Sequence, residues 1–380
     1  MSVGARAGGA PSACASCVRR SWLLSELSGP LECCARDRAR LIELLALADG
    51  ELLKAVAGRR TAELRARYEG FSADAAAREA GVEAICRHRR GYPPRLDGPA
   101  APHMLEVAGG GAQRLAALTG APVVAVLGSR APSDYGLAIA RSLARGLAAS
   151  GVTVAASLTD GIAVAAHAGA LDANAGSVAV MGGGLGVACP ARRRSLYERV
   201  TRRGCAVSEL PFDCAGRRWG QLASERILVE LALVAVVVEA EETAEDLAAA
   251  QLARALGRTV AAIPGRVTSP LSRGTHALLM SGANLVRGAQ DVLELLYPLG
   301  ASPSRDGSAS PAGPAAGRRS GLPPGLRATL DRVGAGCDTP DRLTRAGADA
   351  CEVLLALSEL ELMGLLVRGD GGRYVPAAGY

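Results

Sequence analysis

Two glycine-led loops hold the residues best suited to gripping a polyanion. Gly128-Ser129-Arg130 follows an apolar run, Val123–Leu127, and precedes a helix-length stretch, Tyr135–Ser150. In a parallel sheet the carboxyl ends of strands carry the ligand, and helix N-termini there present free amides to anions. Gly128 permits close backbone approach, Ser129 offers a hydroxyl, and Arg130 supplies a charge-assisted fork for phosphate. The tripeptide alone also fits a tight turn with a solvated Arg. Gly182-Gly183-Gly184 follows a third apolar run and leads to Arg192-Arg193-Arg194. That basic run suits a phosphate backbone, because electrostatics supplies most of non-specific nucleic-acid affinity; the plainer reading is a solvated helix start.

Catalytic chemistry is thinly represented. Neither loop reads G-x-G-x-x-G, and a P-loop lysine is missing, Lys54 being the only Lys among 43 basic residues. His167 and His276 stand alone on helical stretches, where packing or capping is the commoner role. Glu209, next to Ser208, suits orienting an Arg or accepting a base amine, and equally suits a cap or ion pair. Cys14-x-x-Cys17 with Cys33-Cys34 has half of a zinc spacing but lacks the second C-x-x-C, so no metal is expected. No nucleophile, base and oxyanion hole assemble, so neither catalytic residues nor a cofactor are expected.

The elements that must position these loops follow from hydrophobic periodicity. Between Val123 and Leu296, short β-branched runs (Val123–Leu127, Val152–Ala156, Ser177–Met181, Cys205–Ser208, Leu233–Glu239, Thr259–Ile263) alternate with helix-length Ala/Leu/Arg segments. That alternation predicts a doubly wound, mostly parallel α/β sheet. The runs are apolar throughout, as for strands covered on both faces. Residues 20 to about 95 carry Leu at helical spacing; residues 301–322, rich in Ser, Pro, Ala and Gly, read as a linker. Beyond it come helical patterns at Leu326–Val333, Pro340–Arg345 and Asp349–Met363, then two strand-like pieces around a Gly-Asp-Gly-Gly cluster: the order of a winged helix.

The chain has 380 residues, 49% apolar and 21% charged, with a net charge of +6, which excludes a largely disordered chain and predicts two or three domains. Its longest apolar run, Leu231–Val238, is too short to span a membrane. With no apolar signal-peptide core and scattered cysteines, a soluble cytoplasmic protein with reduced thiols is expected. The last 58 residues (323–380) carry 6 basic and 8 acidic groups, a net −2. The third helix there bears Asp349, Glu352, Glu359 and Glu361 without Lys or Arg, which predicts a protein-docking module rather than a DNA reader. Val353, Leu354, Leu357 and Leu360 read as its core.

Taken in order, VAVLGSRAPSDYG, GIAVAAHAGAL, MGGGLGVACP, VSELP, VVVEA and IPGRVTSPLSRGTHALLMSGA, then a linker and a winged helix, resemble the DprA/Smf DNA-processing family. The resemblance runs from about Trp22 to Pro376 and includes HRRGYPPRL. It implies a disordered start (1–19), a helical SAM-like domain (20–100), a Rossmann-like domain (101–300), a linker (301–322) and a winged helix (323–380). It further implies a cytoplasmic, non-enzymatic protein that binds and protects single-stranded DNA in natural transformation and helps load a RecA-type recombinase. Phosphate contacts are expected from Gly128, Ser129, Arg130, Arg192, Arg193, Arg194 and Arg226, and base stacking from Tyr197 and Trp219. A homodimer face is expected around His276, Leu278, Leu279 and Gly282.

The chain departs from the family pattern at three places. S-G-x-A-x-G-I-D has become Ala156 to Ala163, with Asp160 in the loop; R-N-R-I-I has become Ser224-Glu225-Arg226-Ile227-Leu228; S-G-x-L-x-T-A has become Ala244 to Ala250 with Glu245 and Asp246. Added carboxylates beside a phosphate groove predict weak, salt-sensitive binding. Two alternatives follow from other classes: an interaction scaffold that has lost strand binding, and a nucleotide-processing enzyme of the phosphoribohydrolase type, for which Gly274-Thr275 would be the phosphate loop.

Overall fold

The structure is a computed structural model that describes residues 13–73, 82–187, 189–297, 322–334, 339–344, 349–363, 365–368 and 374–376. The chain divides into two compact units, residues 1–301 and 302–380.

The first unit opens with five helices: α1 (Ala15–Glu26), α2 (Ser28–Cys34), α3 (Arg38–Ala46), α4 (Asp49–Val56) and α5 (Thr61–Gly70). Of the stretch expected to be disordered, Ala15–Arg19 belongs to α1, while residues 1–12 lie outside the described ones. Strands β1 (Glu83–Cys86) and β2 (Met104–Ala108) follow, then α6 (Gly111–Gly120), β3 (Val123–Leu127), α7 (Asp134–Ala149), β4 (Thr153–Ser157) and α8 (Ile162–Asp172). Next come β5 (Ser177–Val180), α9 (Ala191–Arg203), β6 (Cys205–Ser208), α10 (Arg218–Leu231), β7 (Val234–Val237) and α11 (Ala244–Ala255). β8 (Thr259–Ala262), α12 (Arg273–Met280), β9 (Asn284–Leu285) and α13 (Ala289–Leu296) complete the unit.

The strands form one nine-stranded sheet in the order β1-β2-β6-β5-β4-β3-β7-β8-β9. From β3 to β9 the neighbours are parallel; β1 and β2 add antiparallel pairs at one edge. The fold is thus the α/β, Rossmann-like doubly wound sheet that the sequence implies. Its continuous apolar runs have a direct cause. In β3, Val123 and Ala125 enter one buried cluster while Val124 and Val126 enter the cluster on the opposite face, and β7 alternates in the same way. Each strand needs two apolar faces because helices cover both.

The helical N-terminus does not stand apart from the sheet. Leu23, Leu24, Leu31, Leu41, Leu44 and Leu53 share a core with Trp219, Leu222 and Ala223 of α10. Burying one such leucine stabilises by about 1.5–3 kcal/mol, enough to make these helices one unit with the sheet.

The second unit contains α14 (Pro324–Gly334), α15 (Pro340–Thr344), α16 (Ala350–Leu362) and the antiparallel pair β10 (Leu366–Arg368) and β11 (Tyr374–Pro376). Helix, helix, helix, hairpin is the winged-helix order. Val353, Leu357 and Leu360 are buried there, as expected, but Leu354 is 51% exposed and joins exposed Leu355 and Met363 on the surface. Of the proposed linker, 301–321 lies outside the described residues and Leu322 is part of this unit's core.

Candidate nucleic-acid interface

Strand order reverses around β3, since β4 lies on one side and β7 on the other. Such a switch point opens a crevice at the carboxyl ends of the strands. A cleft of about 410 Å³ lies there, lined by Gly128, Ser129, Arg130, Gly182, Gly183 and Arg193 among others. The two glycine loops predicted from sequence therefore meet in one place.

The first loop is held by its own backbone. Gly128 has φ +153°, and a Cβ there would stand 2.8 Å from both Glu239 O and Ile162 Cγ1. Ser129 N donates to Glu239 O at 2.7 Å, and Ile162 N donates to Ser129 O at 3.1 Å. Ser129 Oγ accepts from Ala131 N at 3.1 Å, and the side chain is buried. The Ser129 amide is thus already committed internally, while its hydroxyl keeps its own hydrogen to donate into the cleft it lines.

The N-terminus of α7 is also occupied from within. Buried Glu239 accepts from Ser133 N at 2.9 Å and from Ser133 Oγ at 2.6 Å, and its carboxylate lies where a Cβ on Gly136 would collide. An internal carboxylate takes the position that the helix dipole would offer an external anion.

The arginines divide by exposure. Arg130 is exposed, with one guanidinium nitrogen 2.8 Å from Gln221 Oε1. Arg192 and Arg194 are exposed on the first turn of α9. Asp160 holds Arg192 in an ion pair and lies 3.8 Å from Arg193 Nε; Arg193 also donates to Leu158 O. Arg226 departs from expectation. It is 1% exposed and paired with buried Glu209, so it offers no surface to a strand.

Neither stacking candidate presents a free ring. Trp219 is buried in the N-terminal core, its indole N–H donating to Ser28 Oγ at 2.9 Å. Tyr197 is half-buried against the cluster of Leu158, Leu171 and Leu185.

Carboxylates share the cleft: Glu225, Glu245 and Asp246 line it. Arg38, from α3, pairs with Glu225 at 2.6 Å across 187 residues of sequence, a partner that no local pattern signals. Burial pushes the Glu225 carboxyl pKa up, and the Arg38 charge opposes that rise.

Other expected groups prove structural. His167 is fully buried: its Nε2 lies 3.1 Å from Ser157 O, which can only accept, so Nδ1 accepts from Ser177 Oγ at 2.9 Å. Burial lowers its pKa to about 4. Gly274 N donates to Ala240 O at 2.9 Å and buried Thr275 donates to Ser272 O at 3.0 Å, leaving no phosphate loop there. Cys33 and Cys34, on α2, are not among the residues that gather around Cys14 and Cys17.

The expected dimer face is only partly a surface. Leu278 is in the core, Leu279 packs half-buried against it, and His276 Nε2 lies 3.2 Å from Gly265 O. Gly282 is exposed in the turn before β9. The exposed apolar groups of this region are Val267, Met280 (89%) and Leu285 (55%), which single-residue patterns in the sequence did not mark.

The sequence profile of the family described as DNA recombination-mediator protein A matches residues 83–297, more than half of the chain. The chain belongs to the DprA family. It is 37% identical over 260 residues to a putative DNA processing protein DprA of Mycobacterium tuberculosis, covering 67% of this chain and 64% of that protein. The chain thus spans just under two thirds of that relative. The DprA structure from Streptococcus pneumoniae superposes with a TM-score of 0.59 at 28% identity, covering 73% of this chain and 95% of that one. DNA processing protein A of Helicobacter pylori, whose structure was described for its single-stranded DNA binding mode, gives a TM-score of 0.50 at 22% identity, covering 57% and 96%. The DprA match includes both glycine loops and the carboxylates between them. No helix among the described residues is long and apolar enough to cross a membrane.

Proposed function

We propose that this DprA-family chain binds single-stranded DNA without sequence preference and presents it to a RecA-type recombinase, with no catalysis of its own. The carrying observation is a cleft at the sheet's switch point, formed by two glycine loops and lined by exposed Arg130 and half-buried Arg193, with exposed Arg192 and Arg194 on either side of Arg193 in α9. Phosphates pair with these guanidinium groups, and the missing side chains of Gly128, Gly182 and Gly183 let the loops that line the cleft pack directly against Ile162, Gln221 and Gly216. Asp160, Glu225, Glu245 and Asp246 keep the affinity modest. A homodimer would form across α12 and β9, where Met280 and Leu285 are exposed beside the open sheet edge. The acidic, partly apolar surface of α16 (Glu352, Leu354, Leu355, Glu359) suits docking to a protein rather than to DNA.

Titration of labelled oligo-dT across a salt series tests the reading. Wild type should bind at low salt, and Arg130→Ala should flatten the log–log slope by about 0.7, the loss of one single-strand phosphate contact. The carboxylates in the cleft favour a second reading, an interaction scaffold. No binding of oligo-dT at low salt would establish that reading and overturn the first.

A further inference from the structure

Four metal-binding side chains meet at the β1 edge of the sheet, and none of them lines the cleft. Cys14 is the N-cap of α1 and Cys17 lies in its first turn, so the C-x-x-C spacing brings both thiols to the same helix end. Cys86 is the last residue of β1, and His88 follows in a turn closed by Arg89 N donating to Cys86 O at 2.9 Å. The ligand atoms of Cys14, Cys17, Cys86 and His88 all lie within 4.8 Å of one another.

The contacts have the character of a coordination set. His88 Nδ1 stands 3.3 Å from the sulfurs of both Cys14 and Cys17. One imidazole nitrogen has a single proton or a single lone pair to offer, so it cannot serve two thiols as an ordinary hydrogen-bond partner. Around tetrahedral zinc, with Zn–S about 2.3 Å and Zn–N about 2.0–2.1 Å, the S···N edge is about 3.6 Å, close to both separations. Cys14 N donates to Cys86 Sγ at 3.3 Å, the backbone contact that favours a thiolate, as does the positive end of α1. Cys17 and Cys86 are buried against Ala13 and Met104, while His88 is exposed.

We propose that Cys14, Cys17, Cys86 and His88 bind one zinc ion that ties the start of α1 to the end of β1. Three thiolates and one imidazole fill a tetrahedron with protein ligands, so the site is structural rather than catalytic. Its place in the fold gives it a task. β1 is a four-residue edge strand whose only strand neighbour among the described residues is β2, and the metal makes its binding free energy part of the anchoring of that edge to α1. Arg87, Arg89 and Arg90 flank His88 and offset the net negative charge of a three-thiolate zinc site.

The test uses the full-length protein purified without chelators. Elemental analysis should give about one zinc per chain, and replacement by Co²⁺ should give the absorption of a tetrahedral thiolate complex. Cys86→Ser and His88→Ala should weaken zinc, in competition with a chromophoric chelator, by more than the roughly 10- to 100-fold that loss of an outer-shell partner costs. His88→Cys should retain the ion, and the double variant Cys33→Ser, Cys34→Ser should keep the full stoichiometry. Should Cys86→Ser fail to fold, exposed His88 and the wild-type metal content still decide the matter. Folded wild-type protein that takes up less than about 0.1 equivalent after incubation with zinc salt would overturn the proposal. So would a Cys14–Cys17 disulfide in protein alkylated at lysis.

Discussion

Asp160→Asn should strengthen DNA binding, and the structure sets the size of the gain. The Asp160 carboxylate is paired with Arg192, which is 70% exposed, and lies 3.8 Å from Arg193 Nε. An exposed pair of this kind contributes about 0.2–1 kcal/mol, so a phosphate that recruits either guanidinium must give up as much as about 1 kcal/mol. Asn preserves the side chain's size and removes the competing charge. Affinity for oligo-dT at low salt should therefore rise by up to about 5-fold, taking 1.4 kcal/mol as tenfold. The salt slope should steepen by about 0.7 for each arginine newly committed to a phosphate. Fluorescence anisotropy across a salt series would measure both quantities for wild type, Asp160→Asn, Arg192→Ala and the double variant. In the Arg192→Ala background the gain from Asp160→Asn should shrink. If Asp160→Asn left affinity and slope unchanged, the strand would not run past α9 and the assignment of Arg192 would be wrong.

Arg226→Ala should act on stability rather than on DNA, because it strands buried Glu209; a loss of about 3–5 kcal/mol by denaturant unfolding with an unchanged salt slope is expected, and a flattened slope in folded protein would contradict the burial argument. Glu106, on β2, is held by burial at a pKa raised from 4.5 to about 8, with Phe212's backbone opposing the shift and Asp213 adding to it. The native state thus keeps a proton that the unfolded chain releases, so stability falls by up to about 1.4 kcal/mol per pH unit between the two values and levels off above them. Glu106→Gln should remove that slope and melt higher than wild type at pH 8; identical melting shifts from pH 5 to pH 8 in both proteins would refute it.

Local pattern in the sequence determined the scaffold and the address of the cleft. Six largely apolar runs predicted the six central strands because a strand buried on both faces is apolar at nearly every position, Thr153, Ser177 and Ser208 being exceptions, and that requirement is local. The placement of Gly128 and Gly182 directly after two of those runs located the crevice for the same reason. Strands β1 and β2 escaped notice because each is short and carries a glutamate, and only their antiparallel pairing with the sheet edge makes them strands. Tertiary structure alone decided which charges are available. Arg192 and Arg226 are the same residue type on helices that follow the sheet strands, yet one faces solvent at a helix start and the other meets Glu209 in the interior. Glu239 fills the helix end that the sequence offered to an anion, and Arg38 reaches Glu225 from a distant helix. Cys86 and His88, not Cys33 and Cys34, join Cys14 and Cys17, because the start of α1 packs against the β1–β2 edge. Periodicity reports the burial demand of one segment; the pairing of a charge or a thiol depends on which segments pack together, and that information is spread over the whole chain.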